Sequence, residues 1–149
     1  MAVIIRAYEP GDIVRYAELF VDVFNREPWY DEWTLERAAR YLNDFADTPG
    51  FKGIAAEQDG VIHGFIVGVT RRWWSGDEFY VHEMCVRPDE QRSGIGSHLM
   101  ERLEQELRAE GTHNLALLTD RGTPAERFYK KNGFEEISRL AFVAKHTKS

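Results

Sequence analysis

A short apolar run at residues 3–8, VIIRAY, reads as a first strand. Over residues 11–25 the period changes. Ile13, Ala17, Phe20, Val21 and Phe24 recur at helical spacing, and Asp12 stands where it could cap that helix or meet its dipole. Thr34 predicts the N-cap of a second helix whose buried stripe is Leu35, Ala38, Ala39, Leu42 and Phe45, stopped by Thr48-Pro49-Gly50. Two apolar runs follow, KGIAAEQ (52–58) and VIHGFIVGVT (61–70). Asp59-Gly60 joins them and signals a hairpin. RRWWSGD (71–77) reads as a second turn and EFYVHEMCV (78–86) as a third strand of the meander, ended by Pro88.

Ile95, Leu99, Leu103 and Leu107, four residues apart, predict a long helix from Gly94 to Glu110 with Gly111 as its stop. NLALLTD (114–120) is another strand. TPAERFYKKNG (123–133) is a short helix with Pro124 in its first turn and Gly133 beyond its end. FEEISRLAFVAK (134–145) closes the chain as one strand or a hairpin. The order β-α-α-β-β-β-α-β-α-β predicts a mixed α/β fold, largely antiparallel in its first half, in a single domain over residues 1–149.

Composition narrows the function classes. A chain of 149 residues, 43% apolar and 30% charged, suits a soluble globular domain. No apolar run approaches the roughly 20 residues of a membrane span. The start MAVIIRAYEP lacks a signal peptide's basic head and apolar centre, and Cys85 is the only cysteine. A cytoplasmic protein without an internal disulfide or a membrane partner is the expectation. The histidines at 63, 82, 98, 113 and 146 pair with no other ligand at zinc-like spacing, so no metal is expected. A net charge of −6 argues against nucleic acid and is compatible with a cationic substrate.

The stretch VRPDEQRSGIGSHLM (86–100) carries the clearest chemistry. A strand ends at Val86, and a loop with Gln91, Arg92, Ser93, Gly94 and Gly96 runs straight into a helix. Glycines let the backbone approach an anion. The first free amides of the helix point outward, and Arg92 adds a fixed charge, which together would make a pyrophosphate cradle. The bland alternative is a glycine-eased helix start without a ligand. The stretch has no P-loop Gly-Lys-Ser/Thr, and its spacing and place in the chain miss the dinucleotide fingerprint.

The pattern Gln91-Arg92-Ser93-Gly94-Ile95-Gly96 after Val86 and Pro88 resembles the acyl-CoA pyrophosphate loop of the GNAT superfamily of N-acetyltransferases. Ala125-Glu126-Arg127-Phe128-Tyr129, followed by Asn132-Gly133-Phe134, resembles that superfamily's second motif. The resemblance spans nearly the whole chain. It implies acetyl-CoA as donor, an amine as acceptor, a twisted, mostly antiparallel sheet with a splayed parallel pair, and about four flanking helices. It also implies that Met84, Cys85 and Val86 pair with the pantetheine arm, and that Gln91 to Ser97, with Ile95 and Gly96, hold the diphosphate. One departure stands out: many members place asparagine seven residues before the tyrosine, where this chain has Gly122.

The resemblance makes Tyr129 the general acid for the leaving thiolate, beside its contact with the cofactor. An amphipathic-helix core tyrosine is the plain alternative. Strand alternation sets Glu83 and Cys85 on one face and His82, Met84 and Val86 on the other. Glu83 is then the candidate base for the amine or a solvated strand carboxylate, with His82 the rival base. Cys85 reads as a small hydrophobe, not as an acyl-carrying nucleophile. Residues 26–33, REPWYDEW, fall between the first two helices, which in this superfamily borders the acceptor. Trp29, Tyr30, Asp31 and Glu32 there suit a cationic, ring-bearing acceptor, the alternative being a helix–helix joint with its acids in water. Trp73 and Trp74 at a hairpin tip suggest an interface or a ligand wall, and hence a homodimer. The expectation is an N-acetyltransferase acting on a small cationic amine, aminoglycoside- or polyamine-like. A protein or peptide amine acetyltransferase and a non-catalytic acyl-CoA-binding module are the alternatives.

Overall fold

The computed structural model describes residues 3–90 and 93–148. These fall into two compact units, one ending at Leu118 and one beginning at Thr119. The first holds a five-stranded sheet in the order β1-β2-β3-β4-β5: β1 Ile4–Ala7, β2 Phe51–Gln58, β3 Val61–Trp73, β4 Gly76–Val86 and β5 Asn114–Leu117. All neighbours are antiparallel except β4 and β5, which run parallel. Its helices are α1 Ile13–Phe24, α2 Leu35–Ala46 and α3 Ile95–Ala109. The fold is the mixed α/β architecture expected, with the parallel pair at one edge.

Local signals set most of these boundaries. Asp59 and Gly60 both have positive φ, the backbone that a two-residue hairpin between twisted strands requires. The Thr34 hydroxyl accepts from the Arg37 amide and starts α2. Asp12 stands at the N-cap position of α1, as one reading had it. Its side chain makes no cap and instead takes Arg6 and Arg15 in ion pairs at 3.1 and 2.9 Å. The stretch 71–77 is also not all turn. Arg71, Arg72 and Trp73 extend β3 in register with Glu78, Asp77 and Gly76, leaving Trp74-Ser75 as the connection.

The two faces of the sheet are covered separately. Ile54 and Ile66 share one face with the buried Leu99, Leu103 and Leu107 of α3, and Lys52 reaches Glu106 of that helix at 2.9 Å. The other face carries Tyr8, Ala55, Phe65, Val67 and Cys85 against α1 and α2. The buried residues of α1 are Tyr16, Ala17, Leu19, Phe20 and Val23, whereas Ile13, Val21 and Phe24 are only partly covered. The helix is wedged between sheet and α2, so its covered arc is wider than one stripe and rotated from the expected one.

The second unit holds α4, Pro124–Lys131. Thr123 accepts from the Glu126 amide, and the Glu126 carboxylate accepts from the Gly122 amide at 2.8 Å, closing both sides of the helix start. The strand expected over 134–145 is not formed. Beyond Gly133 the described chain has a turn closed by Leu140 N–H to the Ile137 carbonyl, and Leu140, Phe142 and Val143 are exposed. Strand propensity measures fit against neighbours, and an unladdered segment does not become a strand through its side chains alone.

Candidate active site

The site grows from an irregularity in β4. Val67 opposes Glu83 and the next residue of β3, Gly68, opposes Val81, so His82 is an extra residue in the ladder. Before this bulge, Val81 faces α3. After it, Glu83 and Cys85 face α1 and α2. β5 pairs with Glu78 through Val81, and its described ladder ends at the Val81–Leu117 pair. Glu83 to Val86 continue along β4 past that point.

The bulge also moves His82. Simple alternation set it opposite Glu83, but its ring stacks on Phe45 of α2, with centroids 4.3 Å apart and 18° between planes. It therefore lies on the same side as Glu83. Burial and the charge of Arg71 lower its pKa, so it favours the neutral imidazole.

Glu83 is part-buried there. One oxygen, Oε2, accepts from the Tyr41 hydroxyl of α2 at 2.5 Å. Burial raises its pKa to about 7. The Tyr41 hydrogen bond opposes that rise, and the charge of Asp31 adds to it. A carboxyl poised near neutrality is suited to taking and giving protons. Tyr41 was not anticipated from sequence, although it falls three residues after Ala38 on the inward stripe of α2, a signal that could have found it. Cys85 is buried with its Sγ toward the Leu19 carbonyl at 3.8 Å, and burial raises its pKa further. That thiol is protonated and inert, as a small hydrophobe would be.

Trp29 packs on Phe24 with centroids 4.8 Å apart, and Trp33 packs on Phe20 and Tyr41 at 5.0 and 5.1 Å. Tyr30, Asp31 and Glu32 between them are exposed. Tyr30 has φ of 51°, left-handed for a bulky residue. Its hydroxyl donates to Glu27 at 3.3 Å, and the Trp33 indole donates to Asp31 at 3.1 Å. The stretch is thus a packed joint and an acidic surface at once, because neighbouring residues take opposite sides. Trp73 and Trp74 are 61% and 88% exposed at the β3–β4 tip, and neither is brought to this cluster by a ring contact.

Past β4, Gly94 caps α3 in the left-handed region, φ 89°, and the first amides of α3, from Ile95 to Ser97, have no acceptor within the helix. A diphosphate could take them. Ser93 donates its hydroxyl to the Glu90 carbonyl at 2.7 Å. Gln91 and Arg92 lie outside the described residues. In the second unit, Tyr129 lies on α4, edge-on to Phe134 at 5.6 Å. At the position where asparagine was expected, Gly122 has φ of 76°. The one hydroxyl proton of Thr123 goes to the Asp120 carbonyl at 2.8 Å, so Thr123 does not replace the asparagine as a donor. Among the described residues, no group of three or more His, Cys, Asp and Glu could hold a metal ion, and no helix is long and apolar enough to cross a membrane.

The acetyltransferase (GNAT) family pattern matches residues 5–134. The chain belongs to this family. As a GNAT acetyltransferase it is an acyltransferase, and solved structures share its fold throughout. An integron cassette protein from V. cholerae is 20% identical with a TM-score of 0.82, covering 99% of this chain and 94% of its own. An aminoglycoside N-acetyltransferase solved with CoA is 18% identical, TM-score 0.77, covering 98% and 96%. A ribosomal-protein-alanine N-acetyltransferase from Brucella melitensis is 17% identical, TM-score 0.75, covering 97% and 100%. A search of curated proteins returns no significant match. At these identities the solved structures show the GNAT fold and leave the acceptor to the chain's own residues.

Proposed function

We propose that this GNAT acetyltransferase moves an acetyl group from acetyl-CoA to a primary amine of a small, cationic, aminoglycoside- or polyamine-like acceptor. One observation carries the reading: a part-buried Glu83, poised near neutrality, feels the charge of the exposed Asp31 in the 26–33 joint. The carboxylates of Asp31 and Glu32 draw in an ammonium, and the faces of Trp29 and Tyr30 suit its cation or a sugar ring. Glu83 takes the amine proton, directly or through one water, so that the neutral amine can attack. Acetyl-CoA supplies the activated thioester. The backbone of Met84 to Val86 lines its pantetheine arm, the α3 amides from Ile95 to Ser97 receive its diphosphate together with Gln91, Arg92, Ser93 and Gly94, and Tyr129 donates a proton to the departing thiolate. The acetyl group passes within one ternary complex, since the Cys85 thiol is too buried and too firmly protonated to carry it.

An amine panel with free-thiol detection tests the reading. Release of CoA thiol with aminoglycosides or polyamines, and not with peptide N-termini or lysine peptides, is the expected result. Turnover on peptides alone would make it a protein acetyltransferase, and donor binding without any turnover would make it an acyl-CoA-binding module. A cytoplasmic setting suits the donor and the single cysteine. The exposed Trp73-Trp74 tip suits a homodimer contact, which sedimentation of wild type and of a Trp73→Ala/Trp74→Ala double variant would expose as a loss of dimer. A wild type that stays monomeric at high concentration would refute it.

A further inference from the structure

We propose that Tyr41 is a positioning residue for the acyl transfer: its hydroxyl, fixed by the aromatic packing of α2, holds one oxygen of Glu83 and leaves the other to take the amine proton. The inference rests on the reading of Glu83 as the base. Tyr41 stands on the inward arc of α2 with Ala38, Leu42 and Phe45. Its ring is gripped by Trp33, Phe20 and Phe45, with centroids at 5.1, 5.8 and 4.9 Å. A ring held on three sides has little freedom to swing, so its hydroxyl is delivered to one place. That place is Glu83 Oε2, 2.5 Å away. The anchor lies 42 residues earlier in the chain and reaches the strand from a separate helix.

The contact has a chemical consequence. A carboxylate buried among aromatic rings, with no donor, would keep its proton and could not accept another. Tyr41 stabilises the ionised form and selects the oxygen. Its own proton stays on the phenol, because burial and the Glu83 charge both raise its pKa. The side-chain hydrogen bond that acts on Glu83 comes from Tyr41. Asp31 in the loop is an acid whose charge works the other way. The neighbours of Glu83 on β4 are Tyr80, His82 and Cys85, and β3 presents Val67 opposite it. The charges of Asp22 and Arg87 act on Cys85, and that of Arg71 acts on His82.

Tyr41→Phe keeps the ring and removes only the hydroxyl. With glutamate labelled at the side-chain carboxyl, NMR of the full chain follows the Glu83 titration, assigned by its loss in Glu83→Gln. In Tyr41→Phe the midpoint should rise by roughly half a unit or more, and the acid limb of kcat/KM should move with it. The KM for acetyl-CoA and the melting temperature should change little. In a Glu83→Gln background the same Phe substitution should have almost no further effect on kcat. A Tyr41→Phe midpoint equal to that of wild type overturns the inference, and so does an equal fall in kcat in both backgrounds, which marks a structural role. If Glu83→Gln alone keeps full activity, the base assignment fails, and the inference falls with it. An unmoved midpoint with an inactive Glu83→Gln sinks Tyr41 alone.

Discussion

Asn25 and Trp33 grip one another twice. The Asn25 amide nitrogen donates to the Trp33 carbonyl, and the Trp33 amide donates to Asn25 Oδ1, both at 2.9 Å. This exchange pins the far end of the 26–33 joint to the end of α1, and with it the ring of Trp33 against Tyr41. Asn25→Ala removes both bonds and leaves two backbone groups to find water. A loss of about 1–3 kcal/mol in chemical denaturation is expected, with a several-fold rise in KM for the acceptor and none for acetyl-CoA. Steady-state kinetics with each substrate varied in turn would separate the two.

Glu83 makes stability depend on pH in a definite direction. Its carboxyl titrates at about 7 in the fold and near 4.5 as a free side chain. Below about 4.5 both states hold the proton and the folded state has its full advantage. Between 4.5 and 7 the unfolded chain ionises first, so this group's contribution falls, by up to about 3 kcal/mol at pH 8. Glu83→Gln cannot ionise. It should therefore be more stable than wild type at pH 8 and nearly equal to it at pH 4, by denaturant midpoint. Its turnover should be lost, while wild-type kcat/KM should climb through pH 7.

Gly94 offers a test of the diphosphate site in which shape and charge separate. Aspartate and asparagine both tolerate its left-handed backbone better than other side chains do, and the nearest atom to an added Cβ is His98 Cε1 at 3.9 Å. Gly94→Asp should abolish acetyl-CoA binding by calorimetry, and Gly94→Asn should only weaken it. Equal affinities in the two folded variants would place the anion elsewhere.

Tyr129→Phe should lower kcat by roughly 10²-fold or more without altering the affinity for CoA. Retained activity would make water the proton source for the thiolate.

What could be read from the chain was what neighbouring residues decide. The Asp59-Gly60 turn, the Thr34 cap, the leucine stripe of α3 and the Gly94 helix start each depend on a few consecutive residues, and each stands where it was expected. The features that depend on two distant segments were hidden. The extra residue at His82 is a property of β3 and β4 together, so alternation along β4 alone set His82 on the wrong side. Tyr41 looks like one more half-buried aromatic until β4 is laid across it. The side of α1 that is covered depends on both the sheet and α2, which is why Tyr16, Leu19 and Val23 replace part of the expected stripe. Residues 134–145 have strand-forming side chains, but whether a ladder receives them is decided elsewhere in space.

The bulge at His82 makes this region sensitive to insertions and deletions more than to substitutions. Removing His82 would bring Val81 and Glu83 into consecutive pairing with Gly68 and Val67, and every side chain would keep its present face. Nothing would then interrupt β4 where its ladder with β5 now ends. Such a shortened protein should melt no lower than wild type yet fail to bind acetyl-CoA, whereas His82→Ala, at full length, should still bind it. The site's opening would then be set by counting: one residue too many on one strand, whatever letter that residue happens to be.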